Sequence, residues 1–456
     1  MEAQRSGGCR VRTRSSWRYP ARIVPLAFLG AIAVGTALMM LPAARAEPGH
    51  APFVTALFTA TSAVCVTGLS VVDTPTYWSG FGLALITVLS QIGGFGIMTL
   101  ATLLSLLVSR RLRLRSRLLA QAESSGLLGG NVGGILVRVA LVMFVSEAVI
   151  SVVLTLRFWL GYDYPFGRAV WEAVFHAVQA FNNAGFALYP DSLVRFVGDW
   201  WICLPLALGV LAGSIGFPVL FELGREWRTP GCWSTHTRLT VWGTVLLSGT
   251  GFLLFLAFEW SNPGTLGPLS TPAKVLAAFT QDVMTRSGGF NSIDMGDMNA
   301  ETVAATNAMM FIGGGSASTA GGIKVTTFLL LAFVIWAEVR GEPDVVIHKR
   351  RIAEETQRQA MTVALLGVAL VAVGTLALIM LTDDVPFDRA LFEVTSAFAT
   401  VGLSTGITAG LPPSAQVVLV ILMYVGRVGT IAVGTAIALN TRRRHYRYPE
   451  ERPLVG

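Results

Sequence analysis

Charge is what this sequence has least of. Only 13% of its 456 residues are Asp, Glu, Lys or Arg, against 53% hydrophobic residues, whereas a soluble globular chain carries about 25% charged residues. An ordinary water-soluble enzyme is excluded on that ground. Cysteine is scarce as well: Cys9, Cys65, Cys203 and Cys232 have neither the spacing of a disulfide framework nor that of a metal site. Of the five histidines only His176 falls in a membrane-embedded stretch, where it reads as a hydrogen-bonded residue of a short helix. No G-x-G-x-x-G follows a strand-like run, so this sequence carries no signature of a dinucleotide-binding unit.

What the chain has instead is apolar residues pooled into runs of about 20, long enough to cross a hydrocarbon layer of about 30 Å. The net charge of +7 is distributed along the same division. Of 34 Lys and Arg, 24 lie in five stretches, Arg5 to Arg22, Arg110 to Arg117, Arg225 to Arg238, Arg340 to Arg358 and Arg442 to Arg452. These abut apolar runs and alternate with acidic connections at Glu47, Asp73, Asp163, Asp191, Asp294, Asp297, Asp383 and Asp384. The alternation is the positive-inside pattern of a polytopic membrane protein with both termini in the cytoplasm. It is not the basic and aromatic mixture of a nucleic-acid face. The basic start, the apolar run from Ile23 to Met40 and Ala44-Arg45-Ala46 resemble a signal peptide, but the run exceeds the usual 7 to 15 residues and the internal repeat of the chain needs it as a helix.

Four segments align without a gap: FTATSAVCVTGLS from Phe58, FHAVQAFNNAGFA from Phe175, FTQDVMTRSGGFN from Phe279 and FEVTSAFATVGLS from Phe392. Each places a glycine ten residues after its Phe, at Gly68, Gly185, Gly289 and Gly402. Before each lies an apolar span (23–43, 137–160, 239–260, 361–381) and after each another (81–108, 201–223, 303–337, 417–439). The repeated segments are too short to cross and lie between spans whose other ends are basic, so they enter from outside and return. Non-helical backbone at that depth is tolerated only inside protein or along a watery cavity. The expected architecture is an all-α polytopic membrane protein with eight transmembrane helices and four re-entrant loops. Four units of helix, pore loop and helix (22–117, 118–228, 229–345, 346–440) surround one pseudo-fourfold pore. They are flanked by a basic cytoplasmic N-terminus (1–21) and a cytoplasmic C-terminal tail (441–456).

A short helix entering from outside aims its partially negative carbonyl end at the membrane centre and favours cations there. Five residues come after each: Val64, Cys65, Val66, Thr67 and Gly68; Phe181, Asn182, Asn183, Ala184 and Gly185; Thr285, Arg286, Ser287, Gly288 and Gly289; Phe398, Ala399, Thr400, Val401 and Gly402. Extended along a shared axis, their carbonyls replace the hydration shell of a cation such as K⁺, and glycine at the bend adopts positive φ without cost. In the third unit every residue between Ile312 and Ile323 is Gly, Ser, Ala or Thr. Each Gly weakens a helix by about 1 kcal/mol relative to Ala, so the helix is expected to break there.

These four glycines, together with QIGGFGIMT (91–99), GSIGFPV (213–219), IGGGSASTAGGIK (312–324) and GRVGT (426–430), resemble the Trk/Ktr/HKT superfamily of potassium transport proteins, over nearly the whole chain. Eight crossings without an N-terminal two-helix extension are most similar to the KtrB-type pore subunits of bacterial Ktr uptake systems. The resemblance implies potassium uptake across a bacterial-type inner membrane, with K⁺ selected by glycine at all four filter positions; serine at the first is associated with sodium. It implies a non-enzymatic homodimer on a cytosolic, KtrA-like ring of nucleotide-binding domains. It also implies an intramembrane gate of Gly313, Gly314, Gly315, Ser316, Gly321 and Gly322, with Lys324 and Arg427 able to repel a cation or hold the loop. No covalent cofactor is implied, and dependence on Na⁺ is left open.

Other residues carry plainer readings. Gly93, Gly94, Gly96, Gly213 and Gly216 read as helix-packing glycines. Arg286 reads as a brace turned back onto Asp282, and Glu147 and Glu393 as buried carboxylates bonded to neighbours. Asn182 and Asn183 offer their backbone carbonyls rather than their side chains. Arg442 to Arg444 read as an anchor at anionic lipid. A rival intramembrane hydrolase would use Ser316 or Ser318 with Lys324 as the only candidate base, and GGIKVT lacks the residue order of a phosphate loop. A sodium- or proton-coupled symporter is the closer rival, but such carriers often use inverted repeats, and these repeats are parallel.

Overall fold

Long apolar runs and short proline-headed runs give helices of two lengths. The structure, a computed structural model, describes residues 20–117, 132–348 and 350–429. The chain begins with α1 (Pro20–Met39), α2 (Phe53–Val64), a single turn α3 (Thr74–Tyr77) and α4 (Gly80–Arg117). It continues with α5 (Val132–Gly161), α6 (Phe166–Asn182), α7 (Trp200–Ile215) and α8 (Phe217–Glu226). Next come α9 (Thr235–Glu259), α10 (Thr271–Met284), α11 (Ala300–Phe311) and α12 (Val325–Val339). A two-stranded hairpin, β1 (Val346–Ile347) and β2 (Arg350–Arg351), leads to α13 (Glu354–Met380), α14 (Phe387–Phe398) and α15 (Pro413–Tyr424), which ends in a π-helical turn Val425–Gly429.

Proline sets where the short helices start. Pro52, Pro165 and Pro386 are the N-caps of α2, α6 and α14, and α10 carries a proline within its first two residues. An N–H lost to proline is unpaired at a helix start anyway. Each short helix packs on the long helix before it, α2 on α1, α6 on α5, α10 on α9 and α14 on α13. Each also touches a helix of another quarter of the chain: α2 meets α15, α6 meets α4, α10 meets α7 and α14 meets α11. This last set of contacts runs around the chain and closes on itself.

Among the described residues four helices alone are long and apolar enough to cross a membrane, in α4, α5, α9 and α13. The run expected as one span at 201–223 is instead two helices, α7 and α8, bent by 103° at Gly216. The physical reason is a positive φ of 95° at Gly216 with a proline at the start of α8, so the helix cannot continue straight. The run 303–337 breaks between α11 and α12, across the glycine-rich segment. The last run is described only to Gly429, so the part of the expected span 417–439 beyond it, the tail 441–456 and Arg442 to Arg444 lie outside the described residues. So do residues 1–19 of the N-terminal region and residues 118–131.

One buried carboxylate fixes a helix end. Glu259, fully buried at the end of α9, accepts bonds from Asn262 Nδ2 at 2.6 Å, Thr265 Oγ1 at 2.5 Å, the Asn299 N–H at 3.0 Å and the Thr302 hydroxyl. One carboxylate thereby ties the loop after α9 to the start of α11. Replacing Glu259 by Leu leaves these donors without an acceptor, at about 1–3 kcal/mol for each that stays unsatisfied. The Glu259→Leu variant should therefore melt well below the parent protein in detergent, and an unchanged melting curve would show that this junction contributes little.

Candidate functional site

The four short helices end at the centre of the helix assembly, and the backbone leaving them takes the same course four times. Eight residues after the Phe of each repeat stand Val66, Asn183, Ser287 and Thr400, with φ of 56°, 61°, 71° and 48°. Ten residues after it stand Gly68, Gly185, Gly289 and Gly402, with φ of 92°, 73°, 74° and 96°. The sequence signalled the second of these positions through glycine but not the first, where four different side chains occur. Left-handed backbone at a β-branched residue such as Val66 or Thr400 is an outlier, held by its surroundings.

The expected extended run is thus a correction. Val64, Phe181, Asn182 and Phe398 belong to the last turns of α2, α6 and α14, and only the residues after them leave the helix. The reason is hydrogen bonding: the N–H groups of Thr67, Ala184 and Val401 donate to the carbonyls of Ser62, Gln179 and Ser396 at 2.8 Å each, winding each segment back onto its helix. Thr285 and Arg286 likewise donate to the Gln281 and Val283 carbonyls, and Gly288 N–H to Met284 at 2.9 Å.

The four glycines are brought together. A methyl group on Gly68 would strike the Ala184 carbonyl, one on Gly185 the Gly289 backbone, one on Gly289 the Gly185 Cα and the Val401 carbonyl, and one on Gly402 the Thr67 carbonyl. The contacts join first to second, second to third, third to fourth and fourth to first. Glycines of the next helix in three of the units approach from outside: a Cβ on Gly93, Gly213 or Gly426 would meet the carbonyl of Val64, Phe181 or Phe398 respectively, the same position in three repeats. Gly93, Gly94 and Gly213 are therefore close-approach glycines against these segments. Gly96 has open space around it, and Gly216 is the bend between α7 and α8 rather than a packing position.

Two different braces hold the segments. In the first and fourth, the hydroxyls of Ser62 and Ser396 accept the N–H of Gly68 and Gly402 at 3.0 and 3.1 Å. The aligned residues are Gln179 and Val283, and the Gln179 carboxamide has no hydrogen-bond partner. Here the brace is a side chain facing away from the glycine ring. Arg286 turns back, with Nη2 3.7 Å from Asp282 Oδ1 and Nη1 donating to the Thr244 carbonyl at 3.3 Å. Cys65, Asn182, Arg286 and Ala399 occupy this aligned position and all are buried.

The segment after the second, third and fourth glycines is clamped to its short helix. Glu393 Oε1 accepts the Thr405 N–H at 2.9 Å and the Ser404 hydroxyl at 2.6 Å, and Oε2 the Thr408 hydroxyl at 2.7 Å. His176, the aligned residue of the second repeat, receives the Leu188 N–H on Nε2 at 3.3 Å. In the third, Gln281 Oε1 receives the Ser292 N–H at 2.9 Å. Leu188, Ser292 and Thr405 all lie thirteen residues after the repeat's Phe. Sequence alone named Glu393 and His176 as buried hydrogen-bonding residues and aligned them one residue after the repeat's Phe, but their different chemistry hid the shared task.

The glycine-rich segment lies against this ring. Gly313 N–H donates to Ile323 and Ile323 N–H to Phe311, closing the loop at its neck. Gly315 and Thr319 donate to the carbonyls of Ser214 and Gly213 at the end of α7, and the N–H of Phe217 donates to Ala317. The α7–α8 bend makes room, since a side chain at Gly216 would collide with the Ser316 carbonyl. Inside the loop, Thr319 is hydrogen-bonded to Asn183 at 3.0 Å, Gly321 N–H donates to Ser287 Oγ at 3.0 Å and the Ser287 hydroxyl donates to the Thr400 carbonyl at 2.6 Å. Gly314 backs onto the Ser214 carbonyl, and Gly321 and Gly322 abut Ala399. Arg427, 2% exposed in the π-helical turn, donates through Nη1 to the Thr319 carbonyl, while its Nε and Nη2 have no hydrogen-bond partner. Lys324 Nζ donates to the Ala320 carbonyl at 2.5 Å. Ser316 pairs with Thr326 and Ser318 with the Gly315 carbonyl, so Lys324 activates neither hydroxyl and the hydrolase reading has no support.

Known proteins resemble this chain over nearly its whole length. Residues 27–443 match the family model TrkH, described as a cation transport protein. The chain is 38% identical over 441 residues to Ktr system potassium uptake protein B of Bacillus subtilis strain 168, covering 96% of this chain and 97% of that one. It is 36% identical to the protein of the same name from Vibrio alginolyticus, covering 95% and 94%. Among solved structures, the potassium transporter TrkH from Vibrio parahaemolyticus matches with a TM-score of 0.68 at 19% identity, over 94% of this chain and 87% of that one, a likeness of fold.

If Glu393 organises the segment after Gly402, substituting Leu should unlock residues 403–408 while leaving the helix before it folded. Loss of a charged-acceptor bond costs about 1.5–3 kcal/mol, so amide hydrogen exchange of Thr405 should accelerate at least about tenfold. Equal protection in Glu393→Leu and the parent would remove the clamp.

Proposed function

Because the chain belongs to the TrkH family of cation transport proteins, we propose that it is a potassium uptake subunit whose four glycine-bearing segments form a selectivity filter. The observation that carries this reading is the fourfold recurrence of paired positive φ angles in segments whose glycines contact one another in a closed ring. Alternating left-handed and right-handed residues turn successive carbonyls toward one side, which is what a ring of oxygen ligands for a dehydrated cation needs. The short helices end at these segments, so their negative dipole ends add to the attraction. On this reading the chain forms four helix, pore-loop and helix units in eight crossings, with both termini cytoplasmic. It works as a homodimer on a cytosolic nucleotide-binding ring.

The glycine-rich loop from Gly313 to Gly322 is the gate of this pathway, lying under the filter with Arg427 and Lys324 as its positive charges. In support, its hydrogen bonds run to the second and third glycine segments, to α7 and to Arg427, so its position depends on several elements at once. A π-helical turn at Arg427 also fits a functional role, since such turns occur frequently at functional sites. A channel-like pathway is favoured over coupled symport by the parallel succession of helix contacts around the chain.

Flux of K⁺ and Na⁺ through the purified chain in proteoliposomes tests the filter. The parent should pass K⁺ over Na⁺, and Gly68→Ser should narrow that preference, since a side chain there meets the Ala184 carbonyl. A variant that discriminates as the parent does would displace Gly68 from the filter. Shortening the loop between Gly313 and Gly322 should raise K⁺ flux in the absence of any cytosolic partner, and unaltered flux would argue against the gate.

A further inference from the structure

Behind the second glycine segment lies a polar cluster that the proposed pathway does not use. Glu147, in the middle of α5, is 5% exposed. Its Oε1 accepts a hydrogen bond from Asn182 Nδ2 at 3.0 Å and its Oε2 one from Gln91 Nε2 at 3.1 Å. Asn182 Nδ2 is shared with Gln91 Oε1 at 2.6 Å and with the Val178 carbonyl at 2.9 Å. On its other side the Asn182 carboxamide lies against α4 at Gly94, where a methyl group would overlap Asn182 Oδ1. Three side chains from α4, α5 and α6 therefore meet at one carboxamide, and Gly94 leaves it the room.

A buried carboxylate is costly without partners, and one that merely tied two helices together could end on any polar group of its neighbours. This one ends on the last residue of α6, immediately before the left-handed turn at Asn183. The second segment also lacks the serine that receives the glycine N–H in the first and fourth, having at that position Gln179, whose carboxamide is unbonded. Asn182 is aligned with Arg286, the back-facing brace of the third segment. Its orientation sets where the last helical carbonyls of α6, those of Phe181 and Asn182, point.

We propose that Glu147 is a positioning residue for ion selection, which it serves by holding the Asn182 carboxamide so that the second segment keeps its carbonyls in register with the other three. The inference rests on reading 181–185 as a filter segment. What matters is the acceptor at Asn182, not the charge: glutamine at 147 offers Asn182 the same oxygen, while its amide nitrogen faces the Gln91 amide nitrogen and only that bond is lost. Leucine fills the space and offers no acceptor.

The experiment is K⁺ and Na⁺ flux in proteoliposomes for the full-length parent, Glu147→Leu, Glu147→Gln and Gly94→Ala, with melting temperature measured alongside. Glu147→Leu takes one of three acceptors from Asn182 Nδ2, leaving it to Gln91 Oε1 and the Val178 carbonyl, and leaves Gln91 Nε2 without its acceptor, which should lower the K⁺/Na⁺ flux ratio by about tenfold. Glu147→Gln should stay within about twofold of the parent, because a neutral acceptor replaces a charged one. Gly94→Ala displaces the same carboxamide from the other side without touching Glu147, and should lower the ratio in the same direction even if Glu147→Leu does not fold. A parent-like ratio in Glu147→Leu, or in Gly94→Ala where only that variant folds, overturns the inference. So does an equal loss in Glu147→Gln and Glu147→Leu, which would make the charge itself the active element. A parent protein that does not prefer K⁺ overturns the filter reading first, and this inference with it, whereas a selective parent with indifferent variants overturns the inference alone.

Discussion

In a hydrocarbon layer a backbone N–H or C=O without a partner costs several kcal/mol, so a chain that leaves the helix at membrane depth must account for each group it frees. In this chain four short helices, α2, α6, α10 and α14, end inside the protein, where a helix necessarily leaves its last carbonyls unbonded. The solution is a shared turn in which N–H groups return to the helix, at Thr67, Ala184 and Val401, while the glycine and the residue two before it take positive φ. The space that turn needs dictates much else in the structure. Gly93, Gly213 and Gly426 exist where side chains would collide with the carbonyls of Val64, Phe181 and Phe398, and the buried Glu393, His176 and Gln281 catch the N–H groups of the chain on its way out.

The same constraint decides which parts were legible in the sequence. The four glycines were, because positive φ is free only to glycine and one residue type therefore recurs at one offset. The left-handed position two residues earlier was not, since Val66, Asn183, Ser287 and Thr400 share no property and the conformation is imposed by the surroundings. Hydropathy located α5 and α9 within a few residues, but it measures composition and not direction. The run 201–223 therefore read as one span although Gly216 and Pro218, on either side of Phe217, carried the signal for a turn. The Arg286–Asp282 brace, four residues apart, was legible, but that of Asn182 was out of reach for another reason: Glu147 stands 56 residues from Gln91 and 35 from Asn182, and nothing local in α4 or α5 announces their meeting.

Repetition in the backbone is not matched by repetition in its support. The first and fourth segments are held from below by serine hydroxyls; the second and third are held from behind by Asn182 and Arg286, each answered by an acid. A chain with four covalently joined repeats can vary each brace separately, which a ring of four identical subunits cannot. The glycine-rich loop exploits the difference, because it bonds to Asn183 of the second segment and Ser287 of the third, leans on Ala399 of the fourth, and has no hydrogen bond to the first among the described residues.

The energetics of that loop bear on whether it can move. Besides its bonds to Lys324, Val325 and Thr326 at the start of α12, the loop is held by the hydrogen bonds of Gly315 to Ser214, Thr319 to Gly213, Phe217 to Ala317, Thr319 with Asn183, Gly321 to Ser287 and Arg427 to Thr319. A protein hydrogen bond exchanged for water is worth only about 0.5–1.5 kcal/mol net, so releasing this set into a hydrated pore costs about 3–9 kcal/mol. Reversing a two-state equilibrium from 1:99 to 99:1 takes about 5.5 kcal/mol, which lies inside that range. A loop released into hydrocarbon would instead forfeit the full strength of each bond, about 4–6 kcal/mol apiece, and would never open. If the loop is the proposed gate, it can be both closed at rest and movable only if water reaches it when it leaves, and its Gly, Ser, Ala and Thr composition, with no large apolar side chain between Ile312 and Ile323, is what a segment that exchanges protein contacts for water requires.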